Sequence, residues 1–156
     1  MPAHHPEGDD EDRPCRACTD FKTWAKDQKK TTLSTSKPGS SKPKDCPLAK
    51  DELGRYTWGF LHTLAAHFPR QPTETESYRM CKFINIFAQF YPCEPCRLDF
   101  QDDIKENPPQ TKSREALSQW LCERHNTVNV KLGKPEFDCS KVNERWRDGW
   151  LDGSCD

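Results

Sequence analysis

Apolar residues recur at helical spacing from Asp51 onward, and the repeat breaks where Pro, Gly, Asn and Ser collect. Leu53, Phe60, Leu61, Leu64, Ala65 and Phe68 share one face of a first helix, which Pro69 stops. Thr73-x-x-Glu76 has the form of a capping box, and Met80, Phe83, Ile84, Phe87 and Tyr91 supply the stripe of the second helix behind it. Pro92 suits the first turn of a third helix, because the N–H it lacks has no partner there. Cys96, Phe100 and Ile104 continue that face until Asn107-Pro108-Pro109 ends it. Ser113 can cap a fourth helix carrying Leu117, Trp120, Leu121, Val128 and Leu132, closed by Gly133 and Pro135. Val142 and Trp146, four residues apart, predict a short fifth helix around residues 140–150. No stretch alternates with the period of two that a half-buried strand needs. The pattern predicts an all-α fold, a small helical bundle with short loops, over residues 46–156.

Residues 1–45 read differently. Lys29 to Lys44 is Lys, Ser, Thr, Pro and Gly with hardly an apolar side chain, a linker composition, and this N-terminal tail is expected to be largely disordered. One island interrupts it, Cys15-Arg16-Ala17-Cys18 followed by Phe21 and Trp24, with Cys18, Phe21 and Ala25 at helical spacing.

Composition narrows the function. The chain has 156 residues with 33% hydrophobic content, enough for one compact domain and too little for all of it to be packed core. A net charge of -1 gives no case for nucleic-acid binding. No apolar run approaches the roughly 18–20 residues of a membrane helix. The first twelve residues include Glu7, Asp9, Asp10, Glu11 and Asp12, unlike a signal peptide or an acid-poor transit peptide.

Nine cysteines are far above ordinary cytosolic use, so the chain is disulfide-rich, metal-binding or redox-active, and the odd count leaves at least one thiol unpaired within a monomer. Tyr91-Pro92-Cys93-Glu94-Pro95-Cys96 stands out. Two cysteines so spaced cycle between dithiol and disulfide with little backbone movement, and a helix amino end stabilises the reactive thiolate.

A dithiol gives up two electrons that no side chain can hold, whereas a flavin can take them. Two helices carry a second polar and aromatic face that suits one. Arg55, Trp58 and His62 lie at i, i+3, i+7 on the first helix; Cys122, His125, Asn126, Asn129 and Gly133 follow similar spacing on the fourth. A solvated face with an odd Trp is the ordinary reading of such a stripe. Beside a redox cysteine pair, the flat rings of Trp58, His62, His125 and Trp146 and the amides of Asn126 and Asn129 suit an isoalloxazine or adenine ring. Arg55, Lys131, Lys134 and Arg145 would face its pyrophosphate. No GxGxxG follows a strand, so such a flavin would be held by helices.

These residues resemble the FAD-linked sulfhydryl oxidases of the augmenter of liver regeneration type. The similarity runs through Asp45-Cys46-Pro47, Glu52-Leu53-Gly54-Arg55 with Trp58, Leu61 and His62, and Phe90-Tyr91-Pro92-Cys93-x-x-Cys96. It continues through Trp120-Leu121-Cys122-x-x-His125-Asn126-x-Val128-Asn129, Lys131-Leu132-Gly133-Lys134-Pro135-x-Phe137-Asp138-Cys139 and Glu144-Arg145-Trp146-Arg147-Asp148-Gly149-Trp150. Arg13 to Cys18 looks like the long, mitochondrial form of the animal protein.

The resemblance implies a four-helix bundle cradling FAD, with a short fifth helix closing the adenine end. It implies a homodimer in the mitochondrial intermembrane space, with the cytosol as a second compartment. The implied activity forms disulfides, passing electrons from protein thiols to FAD and then to oxygen, giving hydrogen peroxide, or to cytochrome c. The implied protein partner is the disulfide carrier of the intermembrane-space import pathway. By the same resemblance Cys96 is the flavin-proximal sulfur, Cys93 the interchange sulfur, and Cys15 and Cys18 a shuttle pair. Gly54 and Arg55 with Trp58, His62 and Tyr91 form one part of the implied cofactor set. Cys122, His125, Asn126 and Asn129 form another; Lys131, Lys134, Arg145 and Trp146 complete it. Cys122–Cys139 is implied as a structural bridge, and Cys46 as bonded to Cys155 of the other subunit. Parity alone allows that last bond within a chain or between chains. Cys81 is outside the pattern and reads as a buried free thiol.

Other classes compete. The CxxC pairs and Cys122-x-x-His125 have zinc-ligand spacing, but Cys15–Cys18 and Cys93–Cys96 are separated by the linker, and zinc leaves the Trp, His and Asn faces without a purpose. A disulfide-stapled signalling protein does not need those faces either. A thioredoxin-like fold needs a strand before its CxxC, where the spacing from Phe83 to Tyr91 is helical.

Overall fold

The computed structural model describes residues 46–155. The Cys15–Cys18 pair and the tail expected over residues 1–45 lie outside the described residues. Four helices carry the fold: α1 (Lys50–Ala66), α2 (Glu74–Phe90), α3 (Glu94–Glu106) and α4 (Arg114–Lys131). A 3-10 turn (Cys139–Lys141) and a π-helical turn (Glu144–Asp148) follow. No strand occurs among the described residues.

Three of the four helices, α1, α2 and α4, start where a side chain accepts from a free amide. Ala49 N–H donates to Glu52 Oε2 at 3.0 Å. At α2 the capping box forms in both directions: Glu76 N–H donates to Thr73 Oγ1 at 3.2 Å, and Thr73 N–H donates to Glu76 Oε2 at 2.8 Å. Ser113 Oγ accepts from Ala116 N–H at 3.0 Å at the start of α4. Gly133, with φ 67°, turns the chain out of α4 in the left-handed region that glycine tolerates.

The start of α3 differs from the expectation. Its N-cap is Cys93, so the first-turn proline is Pro95 and Pro92 lies ahead of the cap. The missing N–H of Pro95 costs nothing there, and Cys96 becomes the third helical residue.

Helices α1 and α4 pack together, as do α2 and α3. Leu61, Ala65, Phe68, Ile84, Ala88, Ile104, Leu117, Trp120 and Leu121 form the core, with Trp58, Met80, Phe87 and Phe100 packed against it. Trp120 Nε1 donates to Asn107 O at 3.0 Å, which pins the Asn-Pro-Pro turn to α4. Arg114 Nε donates to Phe68 O at 2.6 Å, tying the end of α1 to the start of α4.

Two residues read as core are not. Phe60 and Phe83 are exposed, along with Tyr56 on α1 and Tyr78, Ile86 and Phe90 on α2. Tyr56 and Phe60 are four residues apart on one side of α1; Phe83, Ile86 and Phe90 follow i, i+3, i+7 on α2. Helical periodicity identifies apolar stripes and does not say which is covered within one chain.

The fifth helix is present in altered form. Winding runs from 3-10 through π between Cys139 and Asp148, ending two residues short of Trp150. Val142 is buried and Trp146 half-buried. The π turn packs on α1 and the 3-10 turn on α4, so the segment straddles the helix pair.

Candidate cofactor and disulfide site

A cavity of about 990 Å³ opens among α1, α3, α4 and the segment after Gly133. That is at the upper end of the range for small-molecule sites, about 300–1,000 Å³. Every cofactor-site residue expected from the sequence lines it. Gly54, Arg55, Trp58 and His62 come from α1, and Tyr91 from the end of α2. Cys122, His125, Asn126, Asn129 and Lys131 come from α4; Lys134, Arg145 and Trp146 follow. Cys96 lines the same cavity. Spacing on α1 and α4 places these groups on two facing stripes, and packing of the π turn on α1 brings Trp146 to them.

Four rings interlock there. Trp58 stacks on His125 with centroids 4.1 Å apart and planes within 5°. His62 stacks on Trp146 at 4.7 Å, again within 5°. His62 Nε2 and His125 Nδ1 are 2.9 Å apart, one hydrogen between two nitrogens, so one ring donates and the other accepts. Burial, then the charges of His125 and Arg145, push the His62 pKa down to about 3. Burial and Lys134 push His125 down to about 4. Both rings are therefore neutral near pH 7. His62 Nδ1 is buried without a hydrogen-bond partner, a polar atom available to a ligand. Arg145 lies over Trp146, its guanidinium carbon 4.3 Å from the ring centroid.

The polar residues divide by what they already bond. Asn126 Nδ2 donates to Phe137 O at 2.8 Å, and Asn126 Oδ1 accepts from Phe137 N–H at 2.8 Å. Asn129 Nδ2 donates to Asn126 Oδ1 at 3.3 Å. The Asn126 amide thus holds the loop after Gly133 against α4, and its two shortest bonds go to the backbone of Phe137. Lys131 pairs with Asp99 of α3. Tyr91 is half-buried and its pKa is raised by burial, against a hydrogen bond with Thr57.

Sulfur chemistry sits at one wall. Cys93 and Cys96 are joined by a disulfide, with Cα atoms 5.3 Å apart. Cys93 is fully buried and Cys96 half-buried at the cavity. Both belong to the amino end of α3, whose dipole favours a thiolate over a thiol. Glu94, which opposes that field, has Arg97 at 3.9 Å. A second disulfide, Cys122–Cys139, fastens the 3-10 turn to α4. Cys46 and Cys155 are free and exposed, so no bond within the chain joins them. Cys81 is free and half-buried, its backbone carbonyl accepting from Asn85 Nδ2 at 2.8 Å. Among the described residues no group of three His, Cys, Asp or Glu is arranged to hold a metal ion. The sulfurs of Cys93, Cys96 and Cys122 are taken up in disulfides and are not thiolate ligands.

Sequence reasoning did not find Asp99, Thr57, Phe87, Phe100 or Phe137 in the cavity wall. Asp99 was within reach of it: it follows Cys96 by three residues on α3, the spacing that puts both on one face.

The profile of the Erv1 / Alr family matches residues 55–147, the span that holds every cavity residue from Arg55 to Trp146. The chain belongs to the Erv1 / Alr family. It is 51% identical over 100 residues to the mitochondrial FAD-linked sulfhydryl oxidase ERV1 of Saccharomyces cerevisiae, covering 64% of this chain and 53% of that one. It is 37% identical over 154 residues to the mitochondrial FAD-linked sulfhydryl oxidase erv1 of Schizosaccharomyces pombe, covering 84% and 85% of the two. The chain thus spans little more than half the length of the budding-yeast relative. Among solved structures it is similar to the yeast Erv1 core, with a TM-score of 0.68 and 48% identity over 74% of this chain and 99% of that one. The FAD-binding domain of Erv1 from Saccharomyces cerevisiae gives 0.65 and 49% over 67% and 99%. The helical core of this family member therefore has a counterpart of known structure. Among the described residues no helix is long and apolar enough to cross a membrane.

Proposed function

We propose that this chain is an FAD-dependent thiol oxidase that makes disulfides in protein substrates. One observation carries the reading: the Cys93–Cys96 disulfide adjoins, through Cys96, a large cavity walled by stacked Trp and His rings and by cations. The residues present fit FAD. Trp58, His62, His125 and Trp146 offer flat faces, and Arg55, Lys131, Lys134 and Arg145 offer positive charge for a pyrophosphate. At Gly54 an added Cβ would meet nothing within 4 Å, so that stretch of α1 is open to a ligand. Tyr91, Cys122 and Asn129 complete the contacts, while Asn126 contributes wall. Bound there, FAD supplies the two-electron sink that a dithiol requires.

The chain's own part is thiol–disulfide exchange. An incoming thiolate attacks Cys93 Sγ, the Cys93–Cys96 bond breaks, and Cys96 leaves as a thiolate at the amino end of α3. Exchange runs faster the lower the pKa of the leaving thiol. A second thiolate of the substrate then attacks the sulfur bonded to Cys93. The substrate departs as a disulfide and Cys93 is left as a thiol. Cys93 is buried, so the exchange requires movement around it. Cys15 and Cys18 act upstream as the shuttle pair. A flexible chain as long as the segment between Cys18 and Cys46 spans roughly 30 Å, about the width of a small domain.

Oxygen or cytochrome c receives the electrons, with hydrogen peroxide as product in the first case. The disulfide carrier of mitochondrial import is the protein substrate. The relatives' mitochondrial names support an intermembrane-space location. Exposed Phe60, Phe83 and Phe90 support a homodimer, since such faces seek cover, with Cys46 bonded to Cys155 of the second copy.

The test is the visible spectrum of purified protein. A flavin band that dithiothreitol bleaches without oxygen, and that air restores, supports the reading. Cys96→Ser should keep the band and lose the bleaching. Colourless, fully folded protein would overturn the assignment.

A further inference from the structure

Two ion pairs join α3 to α4, one turn apart on α3. Arg124 donates to Asp103 Oδ1 at 3.0 Å, and the two side chains are 13% and 12% exposed. Asn107 Nδ2 also donates to Asp103 Oδ1, at 3.3 Å. Lys131 Nζ donates to Asp99 Oδ1 at 2.6 Å, but these side chains are 44% and 45% exposed. Asp99 and Lys131 line the cavity, and Asp103 and Arg124 do not. The inner pair is shielded from water and braced by a second donor. The outer pair is wet, rests on a single hydrogen bond, and uses a lysine, a point charge on a flexible stem. Only the outer pair is built to open.

The cavity wall around it is electropositive. Lys50, Arg55, Lys131, Lys134 and Arg145 line it, against Asp51 and Asp99. Asp99 is thus an acid in direct contact with a cation that an anionic ligand would seek.

We propose that Asp99 is an exchangeable counter-ion for Lys131: it holds the ammonium at the cavity wall until the cofactor's pyrophosphate displaces it. The proposal rests on the FAD reading above. Asp99 is a positioning residue, acting on the cofactor only through Lys131. Binding therefore includes the loss of one protein ion pair. Half-exposed pairs of this kind shift equilibria by about two- to fivefold. Asp99 makes cofactor uptake weaker by that factor and keeps Lys131 from wandering into solvent.

Equilibrium titration of the apoprotein with FAD, read by flavin fluorescence, tests this in four proteins. Asp99→Asn should lower the FAD dissociation constant about two- to fivefold, because Lys131 is free beforehand. Lys131→Met should raise it. In the Lys131→Met background, Asp99→Asn should leave it unchanged, because the partner through which Asp99 acts is gone. ADP, which carries the pyrophosphate without the flavin ring, should follow the same pattern. Asp99→Ser serves as a second removal of the charge should the Asn variant fold poorly. An unchanged or raised constant in both Asp99 variants overturns the counter-ion role, as does an Asp99 effect that persists without Lys131. Wild-type protein that takes up no FAD overturns the reading of the site and the counter-ion with it. Tight wild-type binding with insensitive Asp99 variants overturns the counter-ion alone.

Discussion

Protonation of His62 should unlock the cavity, and the cost can be worked out. The ring is 3% exposed, stacked on Trp146, and its pKa falls from an ordinary 6.5 to about 3. The folded state therefore refuses a proton that the unfolded chain accepts. A group whose folded pKa is depressed contributes its full stability above the unfolded value, and loses it as pH falls toward the folded one. The window here runs from about pH 6.5 down to about 3. With those two values, linkage between pH 7 and pH 5 removes about 2 kcal/mol for His62 alone. His125, lowered to about 4, acts in the same direction. Urea unfolding followed by far-ultraviolet circular dichroism, at steps between pH 7.5 and pH 5, measures the slope. His62→Gln keeps a neutral hydrogen-bond donor for His125 and removes the titration. It should be somewhat less stable than wild type near pH 7, having lost the stack on Trp146, and its stability should fall by about 2 kcal/mol less on going to pH 5. An unchanged pH slope in His62→Gln would refute the reasoning, because the acid sensitivity would then come from other groups.

Three further outcomes are expected. Removing the second bridge with Cys122→Ala and Cys139→Ala frees a loop whose closure is worth on the order of 3 kcal/mol, and FAD should be released at lower urea than the bundle unfolds, as flavin fluorescence and circular dichroism would show; coincident transitions at undiminished FAD affinity would contradict it. Asn126→Ala leaves the N–H and C=O of Phe137 without their partners, so it should cost about 1–3 kcal/mol in a thermal or urea melt, and loss of less than half a kcal/mol would mean that water replaces the amide. Cys15→Ser with Cys18→Ser should spare the oxidation of dithiothreitol and slow that of a protein dithiol in an oxygen-consumption assay; equal slowing of both would remove the shuttle role.

How far the sequence reached depends on the distance over which each determinant acts. Caps and stops are local. Thr73 with Glu76, Ser113 and Gly133 could be placed from a few neighbouring residues; the first three make the bonds their types predict, and Gly133 takes the positive φ its type allows. The two ring-bearing stripes were legible because they repeat with the period of the helices that carry them. Their meeting was not, since the 2.9 Å contact between His62 and His125 exists only once α1 and α4 pack. Phe60 and Phe83 failed for the converse reason: their spacing is right for a core, and the described residues leave them uncovered. Pro92 and Pro95 compete for one role three residues apart, and spacing does not choose between them. Cys93 as N-cap does, and that choice puts Cys96 inside the first turn.

Asn126 marks the sharpest division between what residue type suggests and what packing assigns. An amide beside His125 on a polar stripe suits the edge of a flavin as well as it suits a peptide. The residue that decides is Phe137, eleven positions on, whose backbone presents one donor and one acceptor at 2.8 Å. Pairing both satisfies two partly buried backbone groups at once. Asn126 therefore shapes the cofactor cavity by holding its wall, and Cys139 is carried to Cys122 by the same loop. The bridge and the amide act on one segment from two points. Loss of either should loosen Arg145 and Trp146, which follow that segment into the site, before it disturbs the Cys93–Cys96 end of the cavity.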